Sequence, residues 1–169
     1  LETIREFALE QLLLCDEART TQRQHATFFL SLVEHAEAEL IGPDQTSWLK
    51  RLDIERDNLR AALHWGQDSA DSQLWLRFVG AVWLFWYRRG NLNEAQTWLE
   101  KAVKRADSVT AVVSAKVLRA AGSTALGLGD LGTHFPDTDE RWRGADSLRL
   151  LVEVVRLVGE AGWAPVNVD

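Results

Sequence analysis

The sequence predicts an all-α protein of stacked helical hairpins, with an irregular loop and a C-terminal helix after them. Apolar residues recur every three or four positions over most of the chain, which is the period of an amphipathic helix. Short stretches that contain Gly or Pro separate successive helical segments. No alternation of period two, the pattern of a half-buried strand, occurs before residue 163.

The spacing of apolar residues predicts seven helices, over 1–14, 21–41, 44–65, 72–88, 93–106, 109–128 and 146–161. Gly42 and Pro43 end the second helix, and Asp44 is a suitable N-cap for the third. The fourth is apolar on most sides, so we expect it to be buried. Gly90 begins the turn to the fifth helix. After the last helix, residues 163–169 could begin a strand.

Residues 132–145 are predicted to form a loop, because Pro136 is incompatible with a helix interior. We expect this loop to be the most mobile internal segment, with trypsin cutting first near Arg141 or Arg143. The chain also begins at Leu1 inside a helical pattern and ends in an apolar stretch, so we expect a fragment of something longer.

Composition narrows the class of protein. The 169 residues are 46% hydrophobic and 26% charged, which is ordinary for a globular domain and excludes disorder of the whole chain. A net charge of −6 gives no general attraction to nucleic acid or to an anionic membrane. A single cysteine, Cys15, cannot form an internal disulfide, and no signal peptide is evident. We expect a cytoplasmic protein that binds neither nucleic acid nor membrane.

The segment after Gly90 has the residue spacing of a tetratricopeptide helix pair. Small and large residues alternate at the expected positions, at Leu92, Ala95, Leu99 and Ala102. The matching positions of the preceding helix are Val79, Val82, Trp83 and Trp86. The same register recurs 39 residues later at Leu118, Ala121, Gly122 and Ala125, but Pro136 interrupts the second helix of that pair. We therefore predict a tetratricopeptide-like array over 1–131, a break between Ala125 and Gly132, and a loop plus helix over 132–169.

Residues 1–131 resemble the helical region of large bacterial signalling ATPases, the transcriptional regulators of the AfsR and LuxR type. The resemblance rests on LETIREFALEQL at the start, WLxxL from Trp48, DNLRAAL from Asp57 and GAVWLFWYRRG from Gly80. It implies an interaction scaffold that binds a protein partner or its own ATPase domain. No G-x-x-x-x-G-K-[ST] motif occurs, so the resemblance carries over neither ATP hydrolysis nor DNA binding.

Residues 125–169 resemble a different family, the 2-C-methyl-D-erythritol 2,4-cyclodiphosphate synthases of isoprenoid biosynthesis. The matching motif is Asp130-Leu131-Gly132 followed by Phe135-Pro136-Asp137-Thr138-Asp139. The resemblance implies that these eight residues contact a cytidylyl substrate in a lyase that releases CMP. It also implies a homotrimer and a divalent metal such as zinc, magnesium or manganese.

The chain departs from that family at its metal site. The family holds its metal with an Asp-x-His pair and with a later His, 14 residues before the Asp of the motif. Here Lys116 stands at that later position, and no Asp-x-His occurs. A charged ammonium cannot ligate a metal, so we expect no catalytic residue, no metal ligand, no cofactor and no turnover by this chain alone. We interpret the chain as a fusion, a recombinant or an assembly artefact.

The remaining candidate residues favour ordinary roles. His25, His35 and His64 are widely spaced on helices and are expected to be core or solvated residues, while His134 lies at a variable position of the loop motif. Cys15 is followed by Asp16 and Glu17, which discourage a thiolate.

The aromatic and charged clusters also have two interpretations each. The aromatic run over 83–87 suits repeat packing better than a base-stacking platform. Arg88 and Arg89 suit a solvated helix end better than an anion site. A cation could bind the acids of the loop, Asp137, Asp139 and Glu140, although a plain charged loop is the simpler interpretation.

Overall fold

A computed structural model describes residues 18–128, which form six α-helices and one short 3-10 turn. The helices are α1 (Ala18–Glu39), α2 (Gln45–Ile54), α3 (Arg56–Asp68), α4 (Ser72–Arg89), α5 (Leu92–Val103) and α6 (Ala111–Gly127), and the 3-10 turn is Ala106–Ser108. The all-α prediction is confirmed for these residues. The predicted helices over 1–14 and 146–161, the loop over 132–145 and the boundary at 131 lie outside the described residues.

The ends of α4 follow from local chemistry. The Asp71 carboxylate accepts a hydrogen bond from the backbone N–H of Leu74 at 3.0 Å, which satisfies a donor that the first turn leaves unpaired. At the other end Gly90 adopts φ 72°, a left-handed conformation that favours glycine. The N–H of Asn91 then donates to the carbonyl of Trp86 at 2.9 Å, which closes the helix as a Schellman motif.

The single helix predicted over 44–65 is two helices in the structure. The backbone leaves helical geometry at Glu55, with φ −89° and ψ 4°. Asp53 accepts hydrogen bonds from Arg56 and from Arg89 of α4, which ties the end of α2 to a neighbouring helix. Ile54 is 81% exposed and adds no packing that would keep the helix continuous. The helix predicted over 93–106 likewise ends early, at Val103, before the 3-10 turn.

Helix α4 is the centre of the described fold, since it packs against α1, α3, α5 and α6. Twelve of its residues are buried, in a run broken only at Arg77, and this confirms the prediction of a buried helix. Trp83 and Trp86 are 5% and 1% exposed, as the core interpretation predicts. Their burial leaves no open stacking platform for bases, and of the aromatic run only Tyr87 is exposed, at 40%.

Two pairs of helices lie side by side in parallel. Between α3 and α5, Arg60 contacts Glu94, His64 contacts Trp98 and Gln67 contacts Lys101, so partners stay 34 residues apart. Between α4 and α6, Gln73 of the first turn lies within 3.3 Å of Thr110, which is 37 residues away. Gly80, further along α4, lies against Val117. In each pair, later residues of one helix contact later residues of the other, so the two helices are parallel.

None of the helices within residues 18–128 is long and apolar enough to cross a membrane.

Candidate functional site

The residues predicted to contact a cytidylyl substrate lie outside the described part of the chain. These are Asp130, Leu131, Gly132, Phe135, Pro136, Asp137, Thr138 and Asp139. The same is true of Cys15, His134, Glu140 and the predicted tryptic sites at Arg141 and Arg143. Their roles stay predictions, and the described geometry concerns the helical part.

Lys116 stands where the synthase resemblance places a metal-ligating histidine, and the structure gives it another role. Its ammonium donates to Oε2 of Glu37 at 2.5 Å, so it joins α6 to α1. A lysine whose charge is held by a carboxylate has no lone pair to offer a metal. Within residues 18–128 no group of three or more His, Cys, Asp or Glu side chains is close enough to hold a metal ion. Lys116 therefore does not fit the position that a metal-ligating histidine holds in that family.

The three histidines of the described region each contact one aromatic ring. His25 lies 4.7 Å from Phe29 between ring centroids, and burial lowers its pKa. His35 and His64 meet the rings of two tryptophans, Trp48 and Trp98, at 5.0 and 4.9 Å. These contacts agree with packing roles.

Five charged side chains form a layer across α1, α4 and α6, which we call the charged band: Glu34, Glu37, Arg77, Lys116 and Arg119. Arg77 donates through Nε and Nη2 to the two oxygens of Glu34, at 2.9 and 2.8 Å. This bidentate geometry is the stronger form of an arginine–carboxylate pair. Glu37, one helical turn further on, receives Lys116 and has Arg119 within 3.7 Å.

Gly80 makes the charged band continuous over α4. A Cβ at this position would lie 3.3 Å from Cγ of Lys116, so the lysine stem crosses α4 where the helix has no side chain. Lys116 consequently reaches from α6 past α4 to Glu37 on α1. A side chain at position 80 would obstruct that path.

A second set of polar contacts joins α3 to α5 and to Arg105, which precedes the 3-10 turn. Arg60 donates to both oxygens of Glu94 at 2.8 Å, and this hydrogen bonding raises the arginine pKa further. Lys101 donates to the side chain of Gln67 at 3.0 Å, and Arg105 donates to the Gln67 carbonyl at 2.9 Å.

Sequence reasoning missed most of these partnerships. The sequence favours a solvated helix end for Arg89, yet Arg89 pairs with Asp53. The one local signal for the charged band is the three-residue spacing of Glu34 and Glu37 on α1 and of Lys116 and Arg119 on α6, which places each pair on one helix face.

Comparison with known proteins concerns the C-terminal part. The YgbB family matches residues 101–169, a range that begins within α5 and includes α6. The 2-C-methyl-D-erythritol 2,4-cyclodiphosphate synthases of Halorhodospira halophila and Bordetella petrii are each 64% identical over 45 residues. The synthase of Dechloromonas aromatica is 62% identical over 45 residues. Each alignment covers 27% of this chain and 28% of the relative.

The C-terminal part of the chain is therefore similar to a segment of this synthase. The chain spans about 28% of the length of the curated relatives it matches. No solved structure matches the chain. The resemblance of residues 1–131 to signalling ATPase regulators gains no support from these comparisons.

Proposed function

We propose that the segment from Asp130 onward is the substrate-contacting loop of a 2-C-methyl-D-erythritol 2,4-cyclodiphosphate synthase, of which this chain holds only a part. The observation that supports it is the identity of 64% over 45 residues to such synthases. In a complete enzyme the eight motif residues would bind the cytidylyl group, a divalent metal would assist ring closure, and CMP would leave. The family's homotrimer belongs to that complete enzyme.

The chain by itself is proposed to be inactive. Metal-assisted attack on a phosphate needs a cation held against the reacting oxygens. The one described position that the resemblance aligns with a metal ligand is Lys116, which pairs with Glu37. Neither sequence nor described geometry supplies a replacement ligand set.

An assay of CMP release tests this proposal. The chain is incubated with 4-diphosphocytidyl-2-C-methyl-D-erythritol 2-phosphate and with zinc, magnesium or manganese, and nucleotides are separated by chromatography. We expect no CMP above a control without protein, while an intact synthase in parallel releases it. CMP release by the purified chain would show that the segment assembles a working site.

A second function has its own supporting observation. The contacts between α3 and α5 keep a spacing of 34 residues, which is the tetratricopeptide period, while those between α4 and α6 are 37 residues apart. In such an array α1 and α3, then α4 and α5, form successive helix pairs, and α6 begins the next. We propose that residues 18–128 are a helical-repeat interaction scaffold in the cytoplasm, whose partner is another protein or the ATPase domain of a signalling regulator.

The coding sequence on either side discriminates between the two proposals. An upstream nucleotide-binding domain in the same reading frame supports the scaffold, and purified domain and chain should then bind each other. A downstream continuation of Asn167-Val168-Asp169 into the rest of the synthase supports the enzyme. If neither flank encodes such a domain, the regulator scaffold is contradicted.

A further inference from the structure

The charged band contains more positive than negative charge. Among residues 18–128, the carboxylates paired with Arg77, Lys116 and Arg119 are those of Glu34 and Glu37. This excess lies on a chain whose net charge is −6. Within the described residues the five side chains of the band carry a net charge of +1, and this charge would favour an acidic partner over a basic one.

Arg119 has hydrogen-bonding capacity that the band does not use. Its closest approach to Glu37 is 3.7 Å, which is beyond a hydrogen bond, and its side chain is 45% exposed. The guanidinium is held in place by the ring of Trp83, whose centroid lies 5.3 Å away. A guanidinium fixed in this way can receive an incoming carboxylate in a bidentate pair.

The two glutamates already show how an acidic segment fits the band. They lie three residues apart on one face of α1 and meet cations of α4 and α6. Helix α1 is anchored by its buried apolar residues, Phe29, Leu30, Val33 and Ala36, so the two carboxylates can turn aside while the helix stays in place. A partner segment with the same spacing of carboxylates could replace them.

We propose that the charged band binds an acidic peptide segment of a partner protein, and that Glu34 and Glu37 act as internal competitors that weaken this binding. The proposal rests on the scaffold function and names its partner class. The free protein holds the cations in internal pairs, so the partner binds the fraction of molecules in which they are released.

The test measures binding of a fluorescein-labelled decaglutamate peptide by anisotropy at low ionic strength. Replacing both glutamates, Glu34→Gln with Glu37→Gln, should strengthen binding about tenfold, a usual size for a coupling between competing contacts. Adding Arg77→Gln and Arg119→Gln should remove the gain. High salt should weaken binding, because the attraction is screened.

A matched control separates the band from charge in general. Asp57→Asn with Glu94→Gln makes the same change in net charge and releases Arg60 on the α3–α5 side instead. Binding should stay at the wild-type level. An equal gain in this control, or no gain in the band variant, overturns the proposal.

Circular dichroism verifies that each variant stays helical. If the glutamine variant unfolds, Arg77→Gln with Arg119→Gln in the wild-type background takes its place and should weaken the residual binding. Unchanged binding in that variant also overturns the proposal. The anisotropy titration tests peptide binding by the charged band, whereas the flanking coding sequence tests the scaffold proposal. The two proposals can therefore fail separately.

Discussion

Two lines of parallel helices in this protein are joined in different ways. In the line of α1, α4 and α6, the helices pack closely, and α4 brings three fully or nearly fully buried tryptophans to the core, Trp75, Trp83 and Trp86. In the line of α3 and α5, long polar side chains and one ring pair, His64 with Trp98, make the connections, at a constant spacing of 34 residues. Burial of apolar area supplies most folding free energy, whereas polar pairs near the surface contribute little. The first line should therefore carry stability, and the second should set the register of the helices.

The largest effect is expected from emptying the core of the first line. Trp86→Ala removes a side chain that is 1% exposed and should lower the free energy of unfolding by about 3–5 kcal/mol. For a chain of this size the melting temperature should fall by roughly 6–20 °C. Ile54→Ala, at a position that is 81% exposed, should change the melting temperature little. An unchanged midpoint in the tryptophan variant would mean that the aromatic run is not core.

Overfilling the contact between α3 and α4 should have the next largest effect. A Cβ at Gly66 would lie 2.9 Å from Cδ1 of Trp75, a fully buried ring. Gly66→Ala should therefore destabilise by about 1–3 kcal/mol, even though alanine favours a helix by about 1 kcal/mol. Gly42→Ala, whose Cβ meets nothing closer than 3.6 Å, is the control. A stabilised Gly66 variant in urea unfolding would refute the close contact.

Removing one polar connection of the second line should cost less. Glu94→Gln breaks a partly exposed pair with Arg60, and the expected loss is about 0.2–1 kcal/mol. A double-mutant cycle with Arg60→Gln isolates the pair, and the coupling should shrink in high salt. A coupling energy larger than the loss of unfolding free energy in Trp86→Ala would contradict the division of roles between the two lines.

The smallest effect concerns pH. Burial lowers the pKa of His25 below its ordinary value of 6.5, so the folded state binds a proton less readily than the unfolded state. Its contribution to stability is complete above pH 6.5 and is lost as the pH falls through the lower folded pKa. His25→Gln should make unfolding free energy less dependent on pH between 7.5 and 5. Identical pH profiles for variant and wild type would contradict this.

Local pattern alone predicted much of the described fold. Apolar spacing gave the helical class and the burial of α4, Trp83 and Trp86. Gly90 marked a left-handed turn, because few other residues tolerate that conformation. The break at Glu55 escaped prediction since no Gly or Pro marks it, and it coincides with a contact between Asp53 and Arg89, 36 residues apart.

The sequence by itself determined which segments are helical and which faces are apolar, because the helical period is a property of residues that are close together in sequence. It also supplied the motif over 130–139 that identifies the synthase-like segment. Only the tertiary structure decided which charges meet. Lys116 and Glu37 are 79 residues apart, and they pair because α1 and α6 both pack against α4 and the lysine stem passes over Gly80. Such a pairing depends on how helices stack, which no local spacing encodes.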